Sequence, residues 1–176
     1  MAVVVNFETW QGRPNGKLIK ELYLLAAGYI ESVNVVNYVV LKGGLSFKPE
    51  AWLFKIDFAP DSCTFSEGMA DTQHGSVFNP QIRFTRPNGD VIFADYLLKT
   101  RYSDFAAIFR DANHQWYLCS GGLRLVFNTQ IAQINSLEAI LSADNRTPTY
   151  MMADTSFESI ITAPEFSSEF SSDFNS

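Results

Sequence analysis

The stretch that decides the fold is FAAIFRDANHQWYLCSGGLRLVF, Phe105–Phe127. An apolar run, the polar break Asp111-Ala-Asn-His-Gln115 and a second apolar run form the signature of a β-hairpin. The break is read as a turn held by Asp and Asn side chains. Gly121-Gly122 inside the second run marks a bend or bulge. Beyond it Leu123, Leu125 and Phe127 alternate with Arg124 and Val126, which is strand periodicity. Cys119 lies in the apolar run and reads as a small core residue.

Working outward, similar signals recur. Residues 2–10 alternate weakly and read as a strand, followed by the breaker-rich turn Gln11-Gly-Arg-Pro-Asn-Gly16. Residues 17–25, KLIKELYLL, fit a short helix or a strand. Residues 33–41, VNVVNYVVL, are β-branched and read as a strand that Gly43-Gly44 ends. From Ala51 to Phe58 the alternation is clearest. Trp52, Phe54, Ile56 and Phe58 are expected on a buried face, with Leu53, Lys55 and Asp57 opposite. Pro60-Asp61-Ser62 breaks the run. Residues 66–80 are polar and Gly-containing, expected as a long loop or a weak strand with a disordered tip. Ile82 and Phe84 are expected inward from a strand over 81–86. Pro87-Asn88-Gly89-Asp90 is a turn signal, and 91–98 return as a strand or short helix. Residues 136–143 are helix-favouring in composition but read as a strand from context. Seven to nine short strands with one or two short helices predict a mainly β chain: an antiparallel sandwich or open barrel. The expected division is a β-domain over 1–153 and an acidic Phe/Ser-rich arm over 154–176.

The charge supports that division. The net charge of −6 comes from 19 acids and 13 bases. Asp154, Glu158, Glu165, Glu169 and Asp173 lie after Arg146, the last base; removing those five leaves 14 acids against 13 bases. The body is nearly neutral, and a broad basic face for nucleic acid is not expected. The local basic group Arg83, Arg86, Lys99 and Arg101 reads as a solvated sheet face. In the arm, Phe166, Phe170 and Phe174 recur every four residues and fall on one side of a strand or a helix. With Phe157 they are the candidate interface residues. The row could dock on its parent domain or on a neighbouring subunit as an added strand.

No motif carries chemistry. His74 and His114 lack a second histidine at metal-ligand spacing and read as solvated loop residues. Asp111-Ala-Asn113 resembles alternating calcium ligands but lacks the Gly and distal Glu of an EF-hand loop. Asp154-Thr155-Ser156 matches three letters of the aspartic protease triplet without its flanking strand. Nothing places Asp57 and Asp61 together as a catalytic pair. No G-x-S-x-G, P-loop or G-x-G-x-x-G occurs. Cys63 and Cys119 have no zinc spacing, and a disulfide between them is left open. Met1-Ala-Val-Val-Val-Asn6 lacks an export signal, and no apolar run approaches the roughly 20 residues of a membrane helix. The expectation is a non-enzyme without metal or cofactor. Trp10, Trp52 and Trp116 raise a glycan-binding alternative, although core packing explains aromatic residues of this kind.

One resemblance covers residues 43–127. Trp52-Leu-Phe-Lys-Ile-Asp-Phe58, Gln81-Ile-Arg-Phe84 before an Asn-Gly turn, and Leu97-Leu-Lys-Thr-Arg-Tyr-Ser-Asp-Phe105 leading into Ile108-Phe-Arg-Asp111 carry it. In this order they resemble tail-tube and neck-type structural proteins of tailed bacteriophages and prophages of Bacteroides-type hosts. That family tends to read Asp-Asn-x-Gly and then Trp or Tyr; His114 stands where the Gly is usual, which puts the turn type in question. The resemblance implies a small β-sandwich that assembles into rings, hexamers among them. Stacked rings would form a tube or connector that passes DNA without sequence-specific binding. The implied partners are copies of itself and other tail or neck proteins, with no membrane. The implied location is the virion, assembled in the host cytoplasm. Two other readings remain: a carbohydrate- or host-surface-binding β-sandwich of a fibre or baseplate, and a small hydrolase.

Overall fold

Strand β1 (Ile19–Ala26) resolves the ambiguity of residues 17–25, and its burial shows why periodicity could not. Four consecutive residues, Leu22 to Leu25, are buried. Leu22 and Leu24 enter one core and Tyr23 and Leu25 another, so neither face needs polar residues. In this computed structural model residues 18–87, 103–128 and 136–161 are described. The readings for 2–10, 11–16, 88–98 and the Phe row after Ile161 lie outside those residues, as do Lys99 and Arg101.

Ten strands are present among the described residues, more than the seven to nine expected. After β1 come a 3-10 turn (Ala27–Tyr29), β2 (Ile30–Val36), β3 (Val39–Phe47), β4 (Phe54–Lys55), β5 (Thr64–Thr72) and β6 (Gly75–Pro87). Then follow β7 (Phe105–Asp111), β8 (Trp116–Asn128), β9 (Ser136–Ser142), β10 (Tyr150–Met152) and one short helix, α1 (Phe157–Ile160). The class is mainly β, as expected, and the sheet is open rather than closed. One pairing is parallel, β10 with β3, so the sheet is mixed rather than purely antiparallel.

Two layers are joined through β8. The first runs β2-β3-β10-β8-β7-β1-β4, and the second joins β5, β6, β9 and the far half of β8. In the first layer β1 and β2 are five steps apart, yet only the 3-10 turn separates them in the chain. The layer must therefore roll until its ends come close, which makes an incompletely closed barrel. Its interior is a core of Tyr23, Leu25, Val40, Leu45, Ala106, Ile108, Trp116, Leu118, Met152 and Ile160. The second layer packs on the outside of β1, β7 and β8 through Ile82, Phe84, Leu125, Ala139 and Leu141. Strand β7 is thus buried on both faces: Phe105, Ala107 and Phe109 face the second layer, and Ala106 and Ile108 fill the barrel.

The Gly121-Gly122 bulge makes the double membership possible. Ala107 pairs with Cys119 but Phe105 pairs with Leu123, so four steps along β8 match two along β7. Gly122 has φ 74°, and a Cβ there would lie 2.6 Å from Asn145 Oδ1. Asn145 holds the bend by donating from Nδ2 to the Gly121 carbonyl at 3.0 Å.

Several expectations need correction. Gly43-Gly44 does not end a strand; it sits within β3, where the pairing with β2 shifts register. The chain reverses earlier, at Asn37-Tyr38, whose φ values of 51° and 63° suit a two-residue hairpin turn. Only Phe54–Lys55 of the 51–58 run is a strand. Ile56 and Phe58 do reach the inter-layer core, but Leu53 packs toward the barrel core. Trp52 and Phe54, expected on the buried face, are 67% and 40% exposed. Residues 66–80, expected as a long loop or a weak strand with a disordered tip, take the strand alternative in a regular hairpin of β5 and β6, paired without a register shift from Thr64–Arg83 to Thr72–Gly75.

The bulge makes a direct test. Gly122→Ala adds a Cβ at positive φ against an anchored side chain and should cost about 1–3 kcal/mol. Gly68→Ala, in open space on β5, should change stability by less than about 0.5 kcal/mol. Urea unfolding midpoints of the two variants check both values.

Candidate assembly edge

The tip of the β7–β8 hairpin is a locked turn. Asp111 is buried, and its Oδ1 accepts from the N–H groups of Asn113 at 2.8 Å and Gln115 at 3.0 Å. Its Oδ2 accepts from the Tyr117 hydroxyl at 3.2 Å. Both oxygens are spent on the turn, as expected from the Asp-Ala-Asn pattern. The Tyr117 phenol is pushed up to about 12, by burial first and by the Asp111 charge second. His114 takes φ 63°, the left-handed conformation usually left to Gly. The turn geometry therefore tolerates His where the resembling pattern has Gly. The ring is exposed and its Nδ1 lies 2.7 Å from Arg110 Nη1. Arg110 also pairs with Glu21 at 2.5 Å and lies over the Trp116 ring.

The remaining titratable residues stay apart. Cys63 and Cys119 are free and buried. Burial pushes the Cys63 thiol up to about 12 and dominates the rise of Cys119 to about 11, so neither is a thiolate at neutral pH. Asp61 pairs with Lys20 at 2.6 Å, and Asp57 is exposed elsewhere on the surface. Asp154 is buried beside β3, where Gly43 N–H approaches its Oδ2 at 3.4 Å. Among the described residues no group of three His, Cys, Asp or Glu side chains is placed to hold a metal ion.

Among the described residues, two grooves with polar linings stand out. The larger, about 770 Å³, crosses the outer face of the second layer along Ser66, Gln81, Ser142 and Arg124. Its charges are engaged with neighbours: Arg124 with Asp104 at 3.2 Å, and Asp144 with Asn79. The smaller, about 410 Å³, lies at one end of the barrel and is lined by Glu21, Tyr23, Arg110, Trp116 and Phe157. Here Phe157 stacks on Tyr23 at 3.7 Å and on Trp116 at 5.5 Å. Of the four candidate interface residues, Phe157 is therefore packed within its own chain. Phe166, Phe170 and Phe174 lie outside the described residues. Trp116 is only 2% exposed and has no open face for a sugar ring.

The feature that sequence reading missed is the outer edge of β5. Along one side β5 pairs with β6 over its whole length. Along the other, among the described residues, only Thr64 bridges to Leu18. Native edge strands are usually guarded by Lys, Pro, a bulge or a short length. Nine-residue TFSEGMADT has no Lys, Arg or Pro, and its register has no bulge. Its two acids are turned to local partners, Glu67 to Thr149 and Asp71 to Ser76. Residues 68–75 are exposed throughout, with Met69 at 64%. A second exposed apolar group, Val36, Tyr38, Leu41 and Met151, belongs to the β2–β3–β10 side of the barrel. The missing alternation at 66–80 was the signal: a projecting arm has little core beneath it.

The Ile19 N–H donates to Cys63 O at 2.9 Å, so the Cys63 backbone groups point away from β6. By alternation, those of Phe65, Glu67, Met69 and Asp71 point the same way. The Phe65 N–H belongs to the Leu18–Thr64 bridge, so among the described residues Glu67, Met69 and Asp71 present the open donors and acceptors. Comparison with family models, curated proteins and solved structures returns no match, so the functional reading rests on this geometry and on the sequence.

If the hairpin tip is scaffold, its variants behave accordingly. Asp111→Ala strips three hydrogen bonds and should destabilise the fold by about 1–3 kcal/mol. His114→Gly should leave stability unchanged or raise it, because Gly adopts φ 63° without a Cβ clash. Thermal or urea unfolding measures both.

Proposed function

We propose that this chain is a self-assembling structural subunit that joins its copies through the open edge of β5. The observation that carries the reading is that edge: beyond the Leu18–Thr64 bridge it is regular and, among the described residues, unguarded, with the backbone groups of Glu67, Met69 and Asp71 directed outward. An unpaired strand of this kind is a hazard in a monomer and an assembly surface in a multimer. The exposed apolar group on β2, β3 and β10 lies on a different part of the fold, so a contact between it and the arm would be heterologous. Heterologous contacts build rings when the rotation closes and filaments when it does not. Together with the resemblance of residues 43–127, this supports a place in the tail tube or neck of a tailed phage. There, rings of this chain would contact other tail or neck proteins and conduct DNA by geometry. The near-neutral body suits weak contact with the passing DNA.

Light scattering on the purified full chain tests the assembly, and electron microscopy tests its form. The expected mass is a multiple of 19.8 kDa that grows with concentration, in rings or tubes. Met69→Pro removes an outward N–H without taking a bond from β6 and should shift the population toward monomer. A strict monomer at high concentration overturns assembly. Assembly into a closed dimer alone overturns the tail-tube or neck assignment.

One observation favours a second reading, a carbohydrate- or host-surface-binding sandwich. Trp52 is 67% exposed, and an open indole face stacks on sugar rings. In that case a glycan screen finds a ligand whose binding falls at least tenfold in Trp52→Ala and is unchanged in Trp116→Phe. No ligand, or equal binding by Trp52→Ala, removes this reading.

A further inference from the structure

The chain enters the described body at the root of the open edge. Leu18 bridges Thr64 in the antiparallel sense, Ile19 donates to Cys63 O, and Ala112 N–H donates to Leu18 O at 3.0 Å. In the sequence, Leu18 is preceded by Gln11-Gly-Arg-Pro-Asn-Gly16 and Lys17. Carried on in the register of the Leu18–Thr64 bridge, Pro14 would face Gly68 and Gly12 would face Ala70. That stretch is poor at completing a sheet. Pro14 has no N–H to give, and Gly12 and Gly16 weaken a strand. The sequence suited to pair is further back: residues 2–10, with the β-branched run Val3-Val4-Val5 and then Phe7. In the same register, residues 2–8 would overshoot the arm, whose tip is Gln73-His74. The 16 residues before Leu18 and after Met1 can reach about 50 Å when extended. That is ample to meet a second molecule. The open edge, Ser66–Thr72, and the stretch 2–10 are also of similar length.

We infer that residues 2–10 of one copy add as a strand to the β5 edge of a second copy. The inference rests on the assembly reading above and names the contact that drives it. Affinity comes from the main-chain ladder, with outward groups of Glu67, Met69 and Asp71 taking partners from the incoming strand. The breaker-rich 11–16 segment then serves as the crossover between molecules. Each copy gives one strand and accepts one, so the contact repeats around a ring without a free edge.

Donor and acceptor can be disabled separately. Val4→Pro interrupts the donated strand, and Met69→Pro removes an outward N–H of the acceptor, with Asp71→Pro as the second choice if Met69→Pro does not fold. Circular dichroism checks the fold, and light scattering reads the mass. The expected result is that each variant alone is monomeric, while an equimolar mixture recovers a species of twice the monomer mass. The mixture holds one intact donor and one intact acceptor, which suffice for a single exchange. Monomeric variants whose mixture stays monomeric would place the strand on its own chain and overturn the inference. If Val4→Pro assembles like the unaltered chain and Met69→Pro does not, the β5 edge pairs with something else; assembly stands and the exchange falls. A monomeric unaltered chain removes the assembly reading, and the exchange with it.

Discussion

Strand β8 has to serve two layers, and a straight strand cannot do so. Its first half closes the rolled layer beside β7 and β10, and its second half pairs with β9. The Gly121-Gly122 bulge takes up two extra residues and turns the strand between these tasks. Everything else is arranged around that bend. Because β8 leaves the barrel, the second layer can lie against β1 and β7, and those strands gain a core on each face. Burial on both faces is a strong stabilising arrangement, since each large apolar side chain removed from water contributes about 1.5–3 kcal/mol.

The same bend explains where the open edge is. The second layer is narrow, and β5 is its last strand among the described residues. Its root is tied into the core by Phe65, whose ring meets Phe109 at 4.9 Å. Farther out the hairpin outruns the barrel and has water on both faces, which a polar, Gly-containing sequence tolerates. The arm is held in place by side contacts instead: Asn145 pairs with Phe78, and Arg146 donates to the His74 carbonyl. A projecting hairpin whose outer side is unguarded among the described residues is a geometry fitted to strand addition. The barrel end beneath α1 is closed by Phe157 stacked on Tyr23 and Trp116, which makes the two ends of the molecule unlike. Unlike ends suit head-to-tail contact rather than a self-complementary patch.

Legibility followed the core. The 105–127 hairpin could be read because a continuous apolar run meets a turn whose Asp side chain is self-sufficient. Ile82 and Phe84 were readable because β6 has one wet and one dry face there. Trp52 reverses its expected standing and is open, whereas Trp116 is enclosed as core packing predicts. Alternation tells which residues share a face, not how far the covering layer extends. The turn at Asn37-Tyr38 was hidden because a Tyr at φ 63° carries no breaker signature, while Gly43-Gly44 advertised a break and supplied only a bulge. The β5–β6 arm was hidden because a strand without a core beneath it shows no period of two.

By itself, the sequence determined the mainly β class, the hairpin at its centre, the inward Phe and Ile positions of β6 and the absence of a recognisable catalytic motif. These depend on local chemistry: turn residues, β-branched runs and alternation act over a few neighbours. Only the tertiary structure decided that the first layer rolls, that β8 belongs to two layers and that β5 is the last strand of its layer among the described residues. Those facts depend on which strands meet across long stretches of chain. Local sequence does not encode that pairing; the burial of two cores selects it.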